Sequence, residues 1–159
     1  MSTDFTHEQR FTATPVEVVA MMTNPEYVQH KSDSTGSIKT GVDVTADDDQ
    51  VTVVNSRVMP ADVPASVKSF VGDTIKVTET QLWNLDDQSA KVDVSFGGPL
   101  SFAGTITLTT DGAETVATTV GTFKATVPFV GGTIEEMASD QTKKYLRAEE
   151  KAAAEWLSR

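Results

Sequence analysis

The candidates for chemistry are polar residues that share a face with apolar residues in strand-like segments. Glu79 and Gln81 have the same parity as Trp83, and alternate residues of a strand point to the same side. If Trp83 faces the interior, both polar residues therefore do as well. A buried polar group must find a partner, so Glu79 can anchor the polar end of a ligand or move protons. The alternative is that this segment has the opposite parity or lies at a sheet edge, which would put Glu79 in solvent.

His7 is the second candidate for proton transfer. It has the same parity as Phe5 and Phe11. This period of two predicts a strand with His7 on its apolar face. Histidine titrates near neutral pH, so Glu79 and His7 are the candidate acid–base pair. The chain contains two histidines and no H-x-x-x-H or H-E-x-x-H spacing, and it has no nucleophile or phosphate-binding motif. We therefore predict no metal site and no cofactor.

Residues 133–157 have the pattern of a long amphipathic helix that packs on the sheet. Two glycines precede it, and Thr133 with Glu136 forms a capping-box pattern at its start. Many alanines on one face leave space for a ligand pocket between helix and sheet. Alternatively, they let the helix sit close to the sheet with no cavity. Trp156, at the end of this face, is expected to be largely buried. The face consists of Ile134, Ala138, Gln141, Tyr145, Ala148, Ala152 and Trp156.

The remaining elements follow from turn and capping signals. Thr14 and Glu17 form a capping box at the start of one short helix, and Asn24 before Pro25 starts a second. Segments rich in Val, Ile and Thr then alternate with short polar turns, which favours antiparallel hairpins. The segment 60–72 contains two prolines and predicts a loop or a short helix. The predicted strands are residues 3–11, 37–46, 50–59, 73–84, 89–96, 102–110 and 114–127.

The composition excludes several classes of function. Acidic residues outnumber basic ones 23 to 13, and the net charge of −10 opposes binding to nucleic acids and to anionic membranes. The absence of cysteine excludes disulfides, thiolate catalysis and cysteine-ligated metals. The N-terminal residues lack the apolar core of a signal peptide, and no apolar run reaches the roughly 18 residues of a membrane span. We therefore expect a cytoplasmic protein with no nucleic-acid partner.

The order of elements and four stretches of sequence indicate a known superfamily. The stretches are Phe5 to Phe11 with Thr14-Pro15, Phe70 to Asp73, Val77 to Trp83, and Val127 to Gly132. The chain resembles the START-like, birch-pollen-allergen-like superfamily (SRPBCC) and, more narrowly, an actinobacterial family known only as a domain of unknown function. The resemblance implies one START-like domain over residues 1–159. Its fold would be the α+β helix-grip fold, with a curved, seven-stranded antiparallel sheet, two short helices after strand 1 and a long C-terminal helix.

The same resemblance implies binding of lipids, sterols, polyketides or other hydrophobic molecules, with cyclase or hydrolase activity in some members. We expect a non-catalytic binding or carrier protein for a lipid- or polyketide-like molecule, held between the sheet and the C-terminal helix. One alternative is a cyclase, dehydratase or hydrolase that uses the pair Glu79 and His7. Another is an interaction module with no ligand. The expected ligand-binding residues are Val77, Glu79, Gln81, Trp83, Gln141, Tyr145 and Ala148.

Overall fold

A computed structural model describes residues 2–159, apart from the side chains of residues 70 and 71. Within that range the chain forms seven strands and four helices. The strands are β1 (Thr3–Phe11), β2 (Lys39–Asp47), β3 (Gln50–Pro60), β4 (Thr74–Asn84), β5 (Ser89–Ser95), β6 (Leu100–Asp111) and β7 (Glu114–Ala125). The helices are α1 (Pro15–Met22), α2 (Pro25–Ser34), α3 (Ala65–Val71) and α4 (Gly131–Leu157).

All seven strands belong to one antiparallel sheet with the order β1-β7-β6-β5-β4-β3-β2. Short turns join most neighbours as hairpins, and four of these turns contain a residue with positive φ, which is typical of tight hairpins. These residues are Asp48 (54°), Gln88 (54°), Gly97 (73°) and Gly112 (62°). With α1 and α2 after the first strand and α4 at the end, the predicted helix-grip fold is confirmed.

Two glycines face each other across the hairpin of β6 and β7. Gly104 pairs with Gly121, and a Cβ on either would collide with the backbone of the neighbouring strand and with the ring of Phe102. Glycine permits this approach because it has no side chain, and such positions allow a sheet to curve. The buried Phe102 ring packs there against Phe5 and Phe123, with ring centroids 5.7 and 4.8 Å away.

The predicted start of α1 is confirmed in detail. The side chain of Thr14 accepts a hydrogen bond from the backbone N–H of Glu17, and the Glu17 carboxylate accepts one from the backbone N–H of Thr14. Asn24 likewise caps α2 through the backbone N–H of Glu26. Both caps consist of contacts between residues close in sequence, so the pattern of residue types predicted them at these two helices.

The predicted capping box at the start of α4 is wrong. The helix begins at Gly131, two residues before Thr133, and it has no side-chain cap. A Cβ at residue 131 would lie 2.8 Å from the carbonyl oxygen of Ala125, so glycine lets the helix begin directly against the end of β7. The first turn is instead fixed by Glu135, whose carboxylate accepts hydrogen bonds from the backbone N–H of Ala125 (2.9 Å) and the hydroxyl of Thr3 (2.8 Å).

The buried face of α4 only partly matches the predicted one. Ile134 and Ala152 of the predicted face are buried, but the buried set also contains Glu135, Ser139, Glu149 and Ala153, which are displaced by one residue, or about 100°, from the alanine-rich face. This face packs against β1, β7 and α2. The alanine-rich face is only partly buried, because most of it borders a hollow in the interior and its end lies in the last turn of the helix. Its partly exposed members are Ala138, Gln141, Tyr145, Ala148 and Trp156.

Candidate ligand-binding cavity

A cavity of about 420 Å³ lies between the sheet and α4. Strands β3 to β7, helix α4 and the segment around α3 supply most of its lining, which is largely apolar. Cavities of this size hold small organic ligands in other proteins. The seven residues predicted to bind a ligand all line it, and their role in binding stays a prediction. These residues are Val77, Glu79, Gln81, Trp83, Gln141, Tyr145 and Ala148.

Strand β4 carries a row of polar side chains along one wall of the cavity. Glu79, Gln81 and Trp83 face inwards, as their parity predicts. Trp83 Nε1 donates a hydrogen bond to Gln81 Oε1 (2.9 Å), and Gln81 Nε2 donates one to Glu79 Oε2 (3.0 Å). Because Trp83 is fully buried, this chain of hydrogen bonds holds the Glu79 carboxylate in a defined position.

Arg57 of β3 lies beside this row and is 5% exposed. Its Nη2 donates to Glu79 Oε1 over a long 3.4 Å, and its guanidinium lies 4.6 Å from the ring centroid of Tyr145, within cation–π range. Arg57 Nε and Nη1 and the Tyr145 hydroxyl are buried and have no hydrogen-bond partner among the described residues. We call Arg57, Glu79, Gln81 and Tyr145 the Arg57 cluster.

A second group, the Glu149 cluster, consists of Gln9, Tyr27, Lys31 and Glu149. Lys31 Nζ lies 2.7 Å from Glu149 Oε2, and each of the two side chains is 4% exposed. Gln9 Nε2 donates to Glu149 Oε1 (3.1 Å), and the Tyr27 hydroxyl donates to Oε2 (3.4 Å). The Glu149 carboxylate therefore accepts three hydrogen bonds and joins β1 and α2 to α4.

The charges of these clusters are set by their neighbours. Burial raises the pKa of the Glu79 carboxyl, but the cations Lys31 and Arg57 outweigh burial and hold that pKa below its ordinary value. Burial lowers the pKa of Lys31, yet the nearby Glu149 carboxylate keeps it above its ordinary value. Burial raises the pKa of the Tyr145 hydroxyl. At neutral pH, Glu79 and Lys31 are therefore ionised, and Tyr145 keeps a proton that it can donate.

The structure does not bring the candidate acid–base pair together at the cavity. Glu79 lines the cavity, whereas His7 is not among the described residues that do. His7 lies near α4, where burial and the charge of Arg147 hold its pKa below the ordinary value. Proton transfer requires both groups within reach of the reacting molecule, so this placement does not favour a shared role for Glu79 and His7.

The sequence patterns did not indicate three of the buried charges. Arg57 has the parity of Val51 and Val53 in β3, so the alternation could have identified it as an inward-facing residue. Lys31 lies in a polar helix, and Glu149 flanks the alanine-rich face of α4. No local pattern marks these two residues, because only the packing of α2 on α4 brings them together.

Comparison with protein families finds one match. The profile of a family described as "Protein of unknown function (DUF2505)" matches residues 6–157. No curated protein matches the sequence significantly. In the described part of the chain, no helix combines the length and the hydropathy that a membrane span requires.

Several solved structures have the same fold over nearly the whole chain. The Zhui aromatase/cyclase from a Streptomyces species has a TM-score of 0.70 at 12% identity, covering 100% of this chain and 95% of that one. Norcoclaurine synthase from Thalictrum flavum, in complex with dopamine and hydroxybenzaldehyde, has a TM-score of 0.65 at 15% identity, covering 99% and 87%. The protein Ara h 8.0201 has a TM-score of 0.65 at 11% identity, covering 100% of both chains. At these identities the similarity shows the fold alone, the helix-grip fold described above.

Proposed function

The chain belongs to the DUF2505 family of proteins of unknown function, and we propose from its cavity that it is a non-catalytic binding or carrier protein for a hydrophobic small molecule. The observation that carries the proposal is the cavity of about 420 Å³ between sheet and helix, which combines an apolar lining with a few polar groups at one wall. This combination is typical of small-molecule sites. The ligand is lipid- or polyketide-like in that an apolar body fills most of the space.

Two further considerations support binding. Lost packing around an empty apolar cavity lowers the free energy of unfolding by roughly 24 cal/mol per Å³. A cavity of this size therefore destabilises the fold unless a ligand occupies it. The norcoclaurine synthase structure contains dopamine and hydroxybenzaldehyde, so this fold accommodates small organic molecules in at least one other protein. We also propose the expected cytoplasmic location and the actinobacterial origin of the family that the sequence resembles.

The two alternatives make different demands on the cavity. A cyclase, dehydratase or hydrolase needs an acid–base pair at its wall, and Glu79 lines the cavity without His7, so no observation favours this alternative. An interaction module needs no accessible cavity at all. Uptake of a probe into the cavity therefore separates binding from the interaction module.

The test of the proposed function uses Ala148, which lines the cavity from α4. Ala148→Phe places a ring in the hollow, so we expect it to abolish the fluorescence increase of the uncharged probe N-phenyl-1-naphthylamine. Because the ring enters available space, the free energy of unfolding should change by less than about 1 kcal/mol. The matched control is Ala154→Phe, which adds the same ring to an exposed position of the same helix and should leave uptake unchanged.

Two outcomes would count against the proposal. If Ala148→Phe unfolds the protein, the helix lies too close to the sheet for a ligand. If the variant takes up the probe as well as the wild type does, the probe binds elsewhere. Native mass spectrometry of protein purified from its own host complements this test, because a hydrophobic mass should accompany the wild type and be absent from Ala148→Phe.

A further inference from the structure

The unused hydrogen-bonding groups at the cavity wall are all able to donate. Arg57 Nε and Nη1 are buried without partners among the described residues, and so is the Tyr145 hydroxyl. Arginine is a donor only, and its guanidinium carbon lies over the Tyr145 ring, 4.6 Å from the ring centroid. The Nε and Nη1 N–H groups remain available, because they have no partner among the described residues. A ligand that pairs with these donors must carry a hydrogen-bond acceptor, such as an oxygen with lone pairs.

The charges of the wall are already balanced. The cation of Lys31 lies 2.7 Å from the Glu149 carboxylate, and that of Arg57 lies 3.4 Å from the Glu79 carboxylate. Lys31 lies behind Glu149 and does not line the cavity, and the cation that lines it besides Arg57, Lys144, is exposed to solvent. An anionic ligand would therefore bury a charge without a buried counter-charge, which is costly. An uncharged acceptor would complete the hydrogen bonds and keep the balance.

We propose that the cavity selects an uncharged, largely apolar ligand that carries a carbonyl oxygen, and that Arg57 and Tyr145 bind this oxygen. This inference rests on the proposed function, since it presupposes that the cavity takes up a small molecule. The ligand class comprises ketones, esters and amides with an apolar body, and it excludes hydrocarbons and free carboxylates as preferred ligands. Arg57 and Tyr145 act as donors from β3 and α4, and Glu79 holds the guanidinium from β4.

Three probes of nearly the same shape test this selectivity. 2-Acetylnaphthalene carries the ketone, 2-ethylnaphthalene replaces it with a hydrocarbon group, and 2-naphthoate carries a carboxylate at neutral pH. Isothermal titration calorimetry gives the dissociation constant of each probe. Burial of apolar surface alone favours the ethyl compound, because the carbonyl loses its hydration on entry. We expect the opposite order, with the ketone binding most tightly and the carboxylate most weakly.

The chain's two tyrosines provide a matched pair of variants. Tyr145→Phe removes the hydroxyl proposed to bind the ligand and should weaken binding of the ketone by roughly threefold to tenfold, the value of one hydrogen bond. It should leave binding of the ethyl compound unchanged. Tyr27→Phe removes a buried hydroxyl that does not line the cavity and should change neither affinity. A double variant, Arg57→Gln with Glu79→Gln, removes both charges together and should abolish the preference for the ketone.

The outcomes distinguish a failure of the selectivity from a failure of the proposed function. If the ethyl compound binds as tightly as the ketone, or if the carboxylate binds most tightly, the selectivity is wrong while the binding function stands. Equal effects of the two tyrosine variants would also overturn the assignment to Tyr145. If none of the three probes binds the wild type, both the inference and the proposed function fail. Should the double variant not fold, Tyr145→Phe alone decides the assignment.

Discussion

The Glu149 cluster and the Arg57 cluster are both buried beside α4, yet only the first is complete. The Glu149 carboxylate accepts three hydrogen bonds, with the Lys31 ammonium at 2.7 Å. Arg57 reaches Glu79 over 3.4 Å and keeps two nitrogens without partners among the described residues. Because most buried polar groups are paired, the difference separates a cluster that fastens helices and strands together from one that has capacity for a ligand.

The largest expected effect comes from breaking the complete cluster. Glu149→Leu leaves the Lys31 ammonium buried without its counter-ion, so the free energy of unfolding should fall by about 3–5 kcal/mol, as for other broken buried ion pairs. Urea unfolding followed by circular dichroism measures the loss. The control, Glu149→Leu combined with Lys31→Met, removes both charges and should recover most of the stability. A loss below about 1 kcal/mol in the single variant would show that the cluster does not fasten α2 to α4.

The incomplete cluster should respond more weakly and should depend on pH. Glu79→Gln removes the counter-charge of Arg57 but keeps an oxygen that accepts its hydrogen bond, so a loss of about 1–3 kcal/mol is expected at pH 7. The pKa of Glu79 lies below its ordinary value of 4.5. Its contribution to stability is therefore complete above pH 4.5 and is lost as the pH falls through the folded-state pKa.

The direction of this pH dependence can be tested by measuring the free energy of unfolding of the wild type and of Glu79→Gln from pH 7 down to pH 3. The stability difference between the two proteins should shrink below pH 4.5, because the wild type alone loses the ionised carboxylate. A difference that stays constant over this range would mean that the carboxylate is not held ionised by Arg57 and Lys31.

The smallest effects compare the two buried tyrosine hydroxyls. The Tyr27 hydroxyl donates to Glu149 at 3.4 Å, so Tyr27→Phe should lower the free energy of unfolding by about 1 kcal/mol. The Tyr145 hydroxyl has no partner among the described residues, so Tyr145→Phe should leave stability unchanged or raise it slightly. Thermal unfolding of both variants without ligand measures the difference. Equal losses would contradict the distinction between the complete and the incomplete cluster.

Part of the cavity could be predicted from local patterns alone. The parity of β4 places Glu79, Gln81 and Trp83 on one side, because a strand has a period of two whatever surrounds it. The alanine-rich face of α4 likewise indicated the side of the helix that borders the hollow. The prediction missed the buried glutamates of the helix, Glu135 and Glu149, because a charged residue is usually exposed to solvent unless it has a partner.

The sequence by itself determined the seven strands, the helices α1, α2 and α4, their order and the residues of β4 that face inwards, because turns, alternation and amphipathic periodicity depend on neighbours along the chain. Only the tertiary structure decided which charges are buried and which of them are paired. Lys31 and Glu149 are 118 residues apart in sequence and 2.7 Å apart in space. Burial of either residue alone would be prohibitive. Their placement therefore depends on a contact that no local pattern can reveal.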